Sequence, residues 1–362
     1  MKRVPVIVFG AGGVGQALLR QIVDGRSPTA ARNQIQFDVV AIVDSKSLLW
    51  EPEGLSDEQL LAAIEAKRIG LPINPEGCRQ KQLTGKRPSN RDVIDFAPAA
   101  ELENVIVVDV TAQDGMEPIL DSALSLGYGV VMANKKALAG PWTTAQKYFN
   151  HLRIRHESTV GGGQPVIATL RNLLDTNDPI YQIEGQLSGT LGFICRQLDE
   201  GVPFSKAIAQ AKKKGYTEPD PREDLGGQDV MRKAMILGRM VGWPLETADI
   251  QVESLYPATM ADLSIRQFMK ATADLDQTMQ QRVAAAAAKG QVLRYVADVE
   301  NGHGKVGLKP IPVNSPLANL KYISFKSGRY NDEPLLIGGK GAGVEMTAAG
   351  VLGDMIDLVR EM

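Results

Sequence analysis

Val4-Pro-Val-Ile-Val-Phe9 runs straight into Gly10-Ala-Gly-Gly-Val-Gly15, and this junction decides the fold. The first six residues are apolar and rich in β-branched side chains. Such a run is too dense for one-sided burial, so it reads as a parallel strand covered on both faces. The glycines follow at once and open a helical pattern over Val14 to Val23, the setting in which a G-x-G-x-x-G match carries weight. Gly10 permits the tight turn, Gly12 leaves bare backbone for a pyrophosphate, and Gly15 lets helix and strand approach closely. Gly13 and Val14 start the helix whose N-terminus offers free N–H groups and positive potential to an anion.

Outward from this junction, Phe37 to Asp44, Val105 to Val110 and Tyr128 to Met132 are strands of the same dense kind. Amphipathic helical stretches such as Pro118 to Leu126 lie between them. That alternation specifies α/β, a Rossmann-type doubly wound nucleotide-binding domain, expected over residues 1–147. Gly25 to Gln34 and Pro72 to Asn90, rich in Pro, Gly and charge, read as loops inserted into it. From about Lys147 to Arg155 the pattern changes. The strands at Ile180 to Leu187, Val292 to Val299 and Lys305 to Lys309 are amphipathic, and helices cluster at 192–241 and 261–289. An α+β substrate-binding and dimerisation domain over 148–337 follows, with one sheet face exposed or dimer-forming, and then a C-terminal helix within 338–362.

Composition narrows the function classes. A length of 362 residues suits two domains, and a formal net charge of −2 gives no reason to expect nucleic acid or an anionic membrane as partner. No apolar stretch reaches the 18 or so residues of a spanning helix, and Met1-Lys-Arg3 leads into a strand without a signal-peptide core, so a cytoplasmic location is expected. Cys78 and Cys195 are too few for a disulfide framework, and His151, His156 and His303 are scattered without metal-ligand spacing. The second strand ends in Asp44-Ser-Lys46. A carboxylate there accepts adenosine ribose hydroxyls and suits NAD, whereas Lys46 suits the 2′-phosphate of NADP, so both cofactors remain open. Asp44 lies farther past the glycines than the usual ~20 residues, and the Gly25 to Gln34 insertion accounts for the excess.

A second informative stretch runs Gly215-Tyr-Thr-Glu-Pro-Asp-Pro-Arg-Glu-Asp-Leu-Gly-Gly-Gln-Asp-Val-Met-Arg-Lys233. Pro219 and Pro221 fix φ and remove donors, so Glu218 to Asp224 reads as a stiffened acidic loop. Asp229 and Lys233 stand four apart on the helix that follows, on one face. The segment resembles the signature of homoserine dehydrogenase, which interconverts L-homoserine and L-aspartate 4-semialdehyde with a nicotinamide cofactor. Gly10 to Gly15, Ala133-Asn-Lys-Lys136, Glu157 to Gly162, Glu184 to Thr190 and Gly341 to Gly350 resemble the family's other landmarks, in the family's order. The chain's end shortly after Ala349 leads to the expectation of a monofunctional member without a regulatory ACT domain or fused aspartokinase.

The resemblance implies further roles. Thr111-Ala112, Asn134-Lys135, and Gly341 with Gly343 are implied cofactor contacts, at strand ends or helix starts. Lys135 and Lys233 are the implied acid/base and electrostatic pair at the reacting oxygen, in either order, converging on one pocket with Asp229 close by. Glu218 and Asp224 are set against the substrate ammonium. The backbone at Gly189 and Thr190, opening an apolar helix, is set against the substrate carboxylate. Glu157, Val160, Gly162 and Gln164 are similar to the segment with which the family binds sodium. A homodimer is expected. Two rivals stand beside this reading. An aspartate-semialdehyde dehydrogenase-like enzyme requires a nucleophilic cysteine, and Cys195, in Gly192-Phe-Ile-Cys-Arg196, has an apolar setting. A non-catalytic nucleotide-binding regulator is opposed by Lys135, Glu218, Asp229 and Lys233 occurring together.

Overall fold

The computed structural model describes residues 1–73 and 87–362, so Cys78 and most of the Pro72 to Asn90 loop lie outside the described residues. Two compact units divide the chain. One is Met1–Ile167 with Gly341–Met362, and the other is Ala168–Lys340.

The first unit holds β1 (Lys2–Phe9), β2 (Ile35–Val43), β3 (Leu48–Trp50), β4 (Ile106–Asp109), β5 (Gly129–Met132) and β6 (Ile154–Arg155), in the order β3-β2-β1-β4-β5-β6. Every pairing is parallel except the short β2–β3 hairpin. The winding reverses between β1 and β4, which makes the carboxyl ends of those strands the natural ligand crevice of such a sheet. Val6, Ile7 and Val8 are all wholly buried, so β1 is covered on both faces as its unbroken apolar run requires. Leu18, Leu19 and Ile22 of the helix Gly13–Asp24 share one apolar cluster with Val351, Met355 and Leu358 of the last helix, Val344–Glu361.

Gly25 to Gln34, expected as a loop, contains the helix Arg26–Asn33. Pro28 falls in its first turn, where a missing N–H leaves no intrahelical bond unmade, and Gln34 ends it in the left-handed region at φ 58°. No residue of this helix is buried, so no apolar periodicity announced it.

The second unit holds β7 (Ile180–Gly185), β8 (Ile250–Val252), β9 (Gln291–Glu300), β10 (His303–Pro312), β11 (Tyr322–Ser327) and β12 (Leu335–Gly338), in the order β12-β11-β7-β9-β10-β8. All pairs are antiparallel except β8 with β10. The amphipathic strands have the expected two faces. Leu293, Tyr295, Ala297 and Val299 are buried on one side of β9, where the helices Gly189–Asp199, Gln228–Val241 and Asp276–Ala287 pack. The opposite side carries a polar network in which Lys309 bonds Glu184 and Asp298, Tyr322 donates to Glu184, and Gln182 donates to Asp298 at 2.6 Å.

The acidic stretch Glu218 to Asp224, expected to be loop throughout, turns helical at Pro221–Leu225. Pro221 occupies the first helical position, where its fixed φ is already suitable. The Asp220 carboxylate caps the turn by accepting from the Arg222 N–H at 3.0 Å.

Candidate functional site

In the first unit the glycine loop has the geometry its spacing demands. Gly10 sits at φ +111°, and a Cβ there would come within 2.9 Å of the Val110 carbonyl. A Cβ on Gly15 would stand 1.9 Å from the Gly10 oxygen, so strand end and helix start touch through bare backbone. Gly12 is different, because nothing lies within 4 Å of where its Cβ would be. Gly12 also caps the helix Gly13–Asp24 without a side-chain bond to its first N–H groups, and Val14 follows half-buried. Gly343, at φ +127°, likewise caps Val344–Glu361 with open space around it. These two helix starts are neighbours, since a Cβ on Gly13 would lie 3.3 Å from the Val344 side chain. Two helix N-termini without side-chain caps, side by side, make an anion cradle. Gly341 is buried against the Gly161 carbonyl and the Gln164 side chain.

Asp44 closes the turn after β2. Its Oδ1 accepts from Lys46 N at 2.7 Å, Ser47 N at 2.6 Å and the Ser47 hydroxyl at 2.8 Å, and its Oδ2 pairs with Lys67 at 2.8 Å. Burial pushes this carboxyl up, but the Lys67 ammonium and the turn's donors together hold it below its ordinary value. The Lys46 side chain is exposed.

At the ends of β4 and β5 a buried acid, Asp109, organises two expected contacts. It accepts from the Thr111 hydroxyl at 2.7 Å and the Thr111 N–H at 3.0 Å, and from Asn134 Nδ2 at 3.1 Å. Asn134 donates further to Gln113 O at 2.9 Å and accepts from Lys136 N at 3.1 Å. Burial raises the Asp109 carboxyl above its usual value against the pull of these donors. Ala112 is exposed beside Thr111. Lys135 is half-buried, immediately ahead of the helix Lys136–Ala139, whereas Lys136 turns outward to Asp114 at 2.6 Å. Sequence reading passed over Asp109, which looks like any strand-terminal residue until β5 brings Asn134 beside it.

Glu157, only 7% exposed, starts a 3-10 turn, and its Oε1 accepts the Ile167 N–H at 2.7 Å. Val160 is fully buried, Gly161 and Gly162 take positive φ of 81° and 67°, and Gln164 is half-buried. Three or more acidic, histidine or cysteine side chains in metal-binding proximity do not occur among the described residues.

In the second unit, Lys233 is held from two sides. Its ammonium pairs with Asp229 Oδ2 at 2.7 Å, one helical turn away, and donates to the Leu187 carbonyl at 2.8 Å. The Lys233 side chain is 17% exposed and that of Asp229 47%, so the ammonium is largely covered while its carboxylate partner still meets solvent. Asp224 lies half-buried beside it. Burial raises its carboxyl above the usual range while the Glu218 N–H, donating at 2.8 Å, and the Thr190 hydroxyl work against the rise. Glu218 itself is exposed. Gly189 and Thr190 open the helix Gly189–Asp199. Ser188 caps it at Leu191 N, 3.1 Å away, and Thr190 donates its hydroxyl to Tyr216 O. The structure thus gathers Thr190, Glu218, Asp224, Asp229 and Lys233 in one unit. The Leu187 carbonyl, which fixes Lys233, had no sequence signal because every residue carries one.

Cys195 is buried in that same helix, and loss of solvent pushes its thiol up to about 11. It has none of the electropositive exposure of an activated cysteine.

Comparison with known proteins gives the family and the fold to which these residues belong. The family described as homoserine dehydrogenase matches residues 165–356, and the family of homoserine dehydrogenase NAD-binding domains matches residues 10–153. A homoserine dehydrogenase of Emericella nidulans is 33% identical over 377 residues, covering 98% of each chain. A bifunctional aspartokinase/homoserine dehydrogenase of Haemophilus influenzae is 36% identical over 370 residues, covering 98% of this chain and 43% of the relative. The chain thus spans about two fifths of the length of such bifunctional relatives. Among solved structures, a hyperthermophilic archaeal homoserine dehydrogenase in complex with NADPH superposes with a TM-score of 0.73 at 25% identity, over 100% of this chain and 99% of that one.

Proposed function

The chain belongs to the homoserine dehydrogenase family, and from that membership we propose that it interconverts L-homoserine and L-aspartate 4-semialdehyde with NAD(P), a step towards threonine and methionine. The observation that carries the reading is the doubly held Lys233. An ammonium has three N–H donors, of which Asp229 and Leu187 O take two, leaving one to offer the substrate's γ-oxygen. In the reducing direction that oxygen gains negative charge, and Lys233 stabilises it electrostatically. Lys135 is assigned proton exchange with the same oxygen, and Asp229 orients the Lys233 ammonium. Glu218 and Asp224 take the substrate ammonium, and the free N–H groups at Gly189 and Thr190 face its carboxylate.

The nicotinamide cofactor, when bound, accepts or delivers the hydride. Its fit rests on the open space at Gly12, on the paired helix starts at Gly13 and Val344, and on Thr111 and Asn134 held by Asp109. Between the two cofactors, Asp44 already accepts four donors, close to the capacity of a carboxylate, and has Lys46 and Lys67 beside it. That favours a 2′-phosphate over ribose hydroxyls, hence NADP. Glu157 and the backbone carbonyls of Val160, Gly162 and Gln164 are assigned to a hard monovalent cation such as sodium, for which oxygen donors are the suitable chemistry. The chain is assigned a cytoplasmic location and a homodimeric state, the latter through the amphipathic sheet of the second unit. No helix of the described residues is long and apolar enough to cross a membrane.

The test is spectrophotometric reduction of NAD+ and of NADP+ with L-homoserine. Lys233→Ala and Asp229→Ala lower turnover by orders of magnitude with an unchanged circular-dichroism spectrum, and Lys135→Ala does the same. Retention of most activity by both second-unit variants removes their assignment.

A further inference from the structure

Lys321 precedes β11 directly and is half-buried. Its backbone is pinned on both sides by one residue, because Gln186 donates its amide to Leu320 O at 3.2 Å and its N–H to Tyr322 O at 2.9 Å. The residue after Gln186 is Leu187, whose carbonyl holds Lys233. Lys321 is therefore fixed against the chain segment that leads into the Lys233 site and the helix Gly189–Asp199. A Cβ on Gly192, in the first turn of that helix, would lie 3.7 Å from Lys321 Cε and 3.8 Å from Arg196 Nη1. Burial, then the Arg196 guanidinium and the Lys233 ammonium, lower the Lys321 pKa from its ordinary value, as expected where three cations share one neighbourhood.

Among the described residues neither Lys321 nor Arg196 has a carboxylate partner, whereas Lys233 has Asp229. A half-buried ammonium among like charges is unfavourable unless an anion joins it. The acids nearby are on the other side of the charge balance, since Glu218 and Asp224 are assigned to the substrate's ammonium. An amino-acid substrate brings a second pole, its α-carboxylate, and the N–H groups of Gly189 and Thr190 supply only partial charge to meet it.

We propose that Lys321, supported by Arg196, is the cationic ligand of the substrate's α-carboxylate and so sets specificity for an amino-acid alcohol over a simple amino alcohol. The assignment rests on the homoserine dehydrogenase reading of this same site. Steady-state kinetics with L-homoserine, together with competitive inhibition by 3-aminopropan-1-ol, the same alcohol without its carboxylate, test it. Lys321→Met raises KM for homoserine about ten- to a hundredfold, the loss expected for one charge-assisted hydrogen bond, with kcat changed far less. It leaves the inhibition constant of 3-aminopropan-1-ol unchanged, and Lys321→Arg recovers most of the loss. Should Lys321→Met not fold, Arg196→Gln at an exposed position gives a smaller rise in the same KM, again without effect on 3-aminopropan-1-ol. A wild-type chain that does not turn over homoserine removes the functional reading. Wild-type turnover with an unchanged KM in Lys321→Met, or equal weakening of both ligands, overturns this assignment alone.

Discussion

Alanine at Gly12 and alanine at Gly15 add the same methyl group to the same loop, yet the geometry requires opposite outcomes. At Gly15 the new Cβ stands 1.9 Å from the Gly10 oxygen, and an ordinary contact begins near 3.4 Å, so helix start and strand end must separate by 3.4 − 1.9 = 1.5 Å. Both partners are backbone, so no side chain can swing away. Such overpacking costs about 1–3 kcal/mol, and the better helix propensity of alanine returns at most ~1 kcal/mol. A unit of this size loses roughly 2–4 °C of melting midpoint per kcal/mol, so Gly15→Ala melts several degrees lower. At Gly12 the backbone, with φ −75° and ψ −166°, already suits any residue, and the methyl meets no protein atom within 4 Å. Gly12→Ala therefore keeps its melting midpoint within about 1 °C while the methyl occupies the space assigned to the pyrophosphate. A misplacement of that size costs on the order of a hundredfold in productive binding. Calorimetry of the free protein and fluorescence titration with NADPH separate the two effects. Unchanged cofactor affinity in Gly12→Ala refutes the assignment of this loop as a phosphate cradle, and an unchanged midpoint in Gly15→Ala refutes the close backbone contact between strand end and helix start.

Other outcomes follow from the same geometry. Cys195→Ala retains turnover within about twofold, and a loss beyond tenfold in a folded variant would revive the cysteine-dependent rival. Asp44 titrates below its usual value, so its contribution to stability is present above about pH 4 and fades as pH falls through the folded value. Asp44→Asn accordingly melts lower than wild type at pH 7, and calorimetry across pH shows the gap closing as pH falls through the folded value. Asp109 has the opposite sign, because its raised carboxyl favours the fold at low pH and loses that contribution as pH rises. In Asp109→Asn that pH-dependent part disappears, and the cofactor KM rises because one acceptor oxygen in place of two cannot hold both Thr111 and Asn134.

The strands and helices with strong apolar patterns are legible in the amino-acid order alone. Val4 to Phe9, Phe37 to Asp44 and Val14 to Val23 identify themselves because both-face burial and helical periodicity leave marks within a dozen residues. The helix Arg26–Asn33 buries nothing and so leaves no mark, and β12 is a short edge strand whose burial merely alternates between partial and exposed. The same division runs through the candidate site. Asp229 and Lys233 are four apart on one helix, so their pairing is a local fact. Asp109 gains its meaning from Asn134, 25 positions away, and Lys321 from Gly192 and Arg196 on a different element. Contacts of that range depend on sheet order, which a single sequence does not spell out.

The first unit is closed by residues that are synthesised after the second. Val351, Met355 and Leu358 fill the apolar cluster that the opening strand and helix begin, and the Gly163 N–H reaches the Gly341 carbonyl at 3.2 Å where the chain re-enters. The whole of Ala168–Lys340 is made between these two moments. During translation the nascent nucleotide-binding sheet therefore waits with one greasy flank uncovered until Val344–Glu361 emerges. Chaperone dependence and sensitivity to early chain termination should concentrate on that interval.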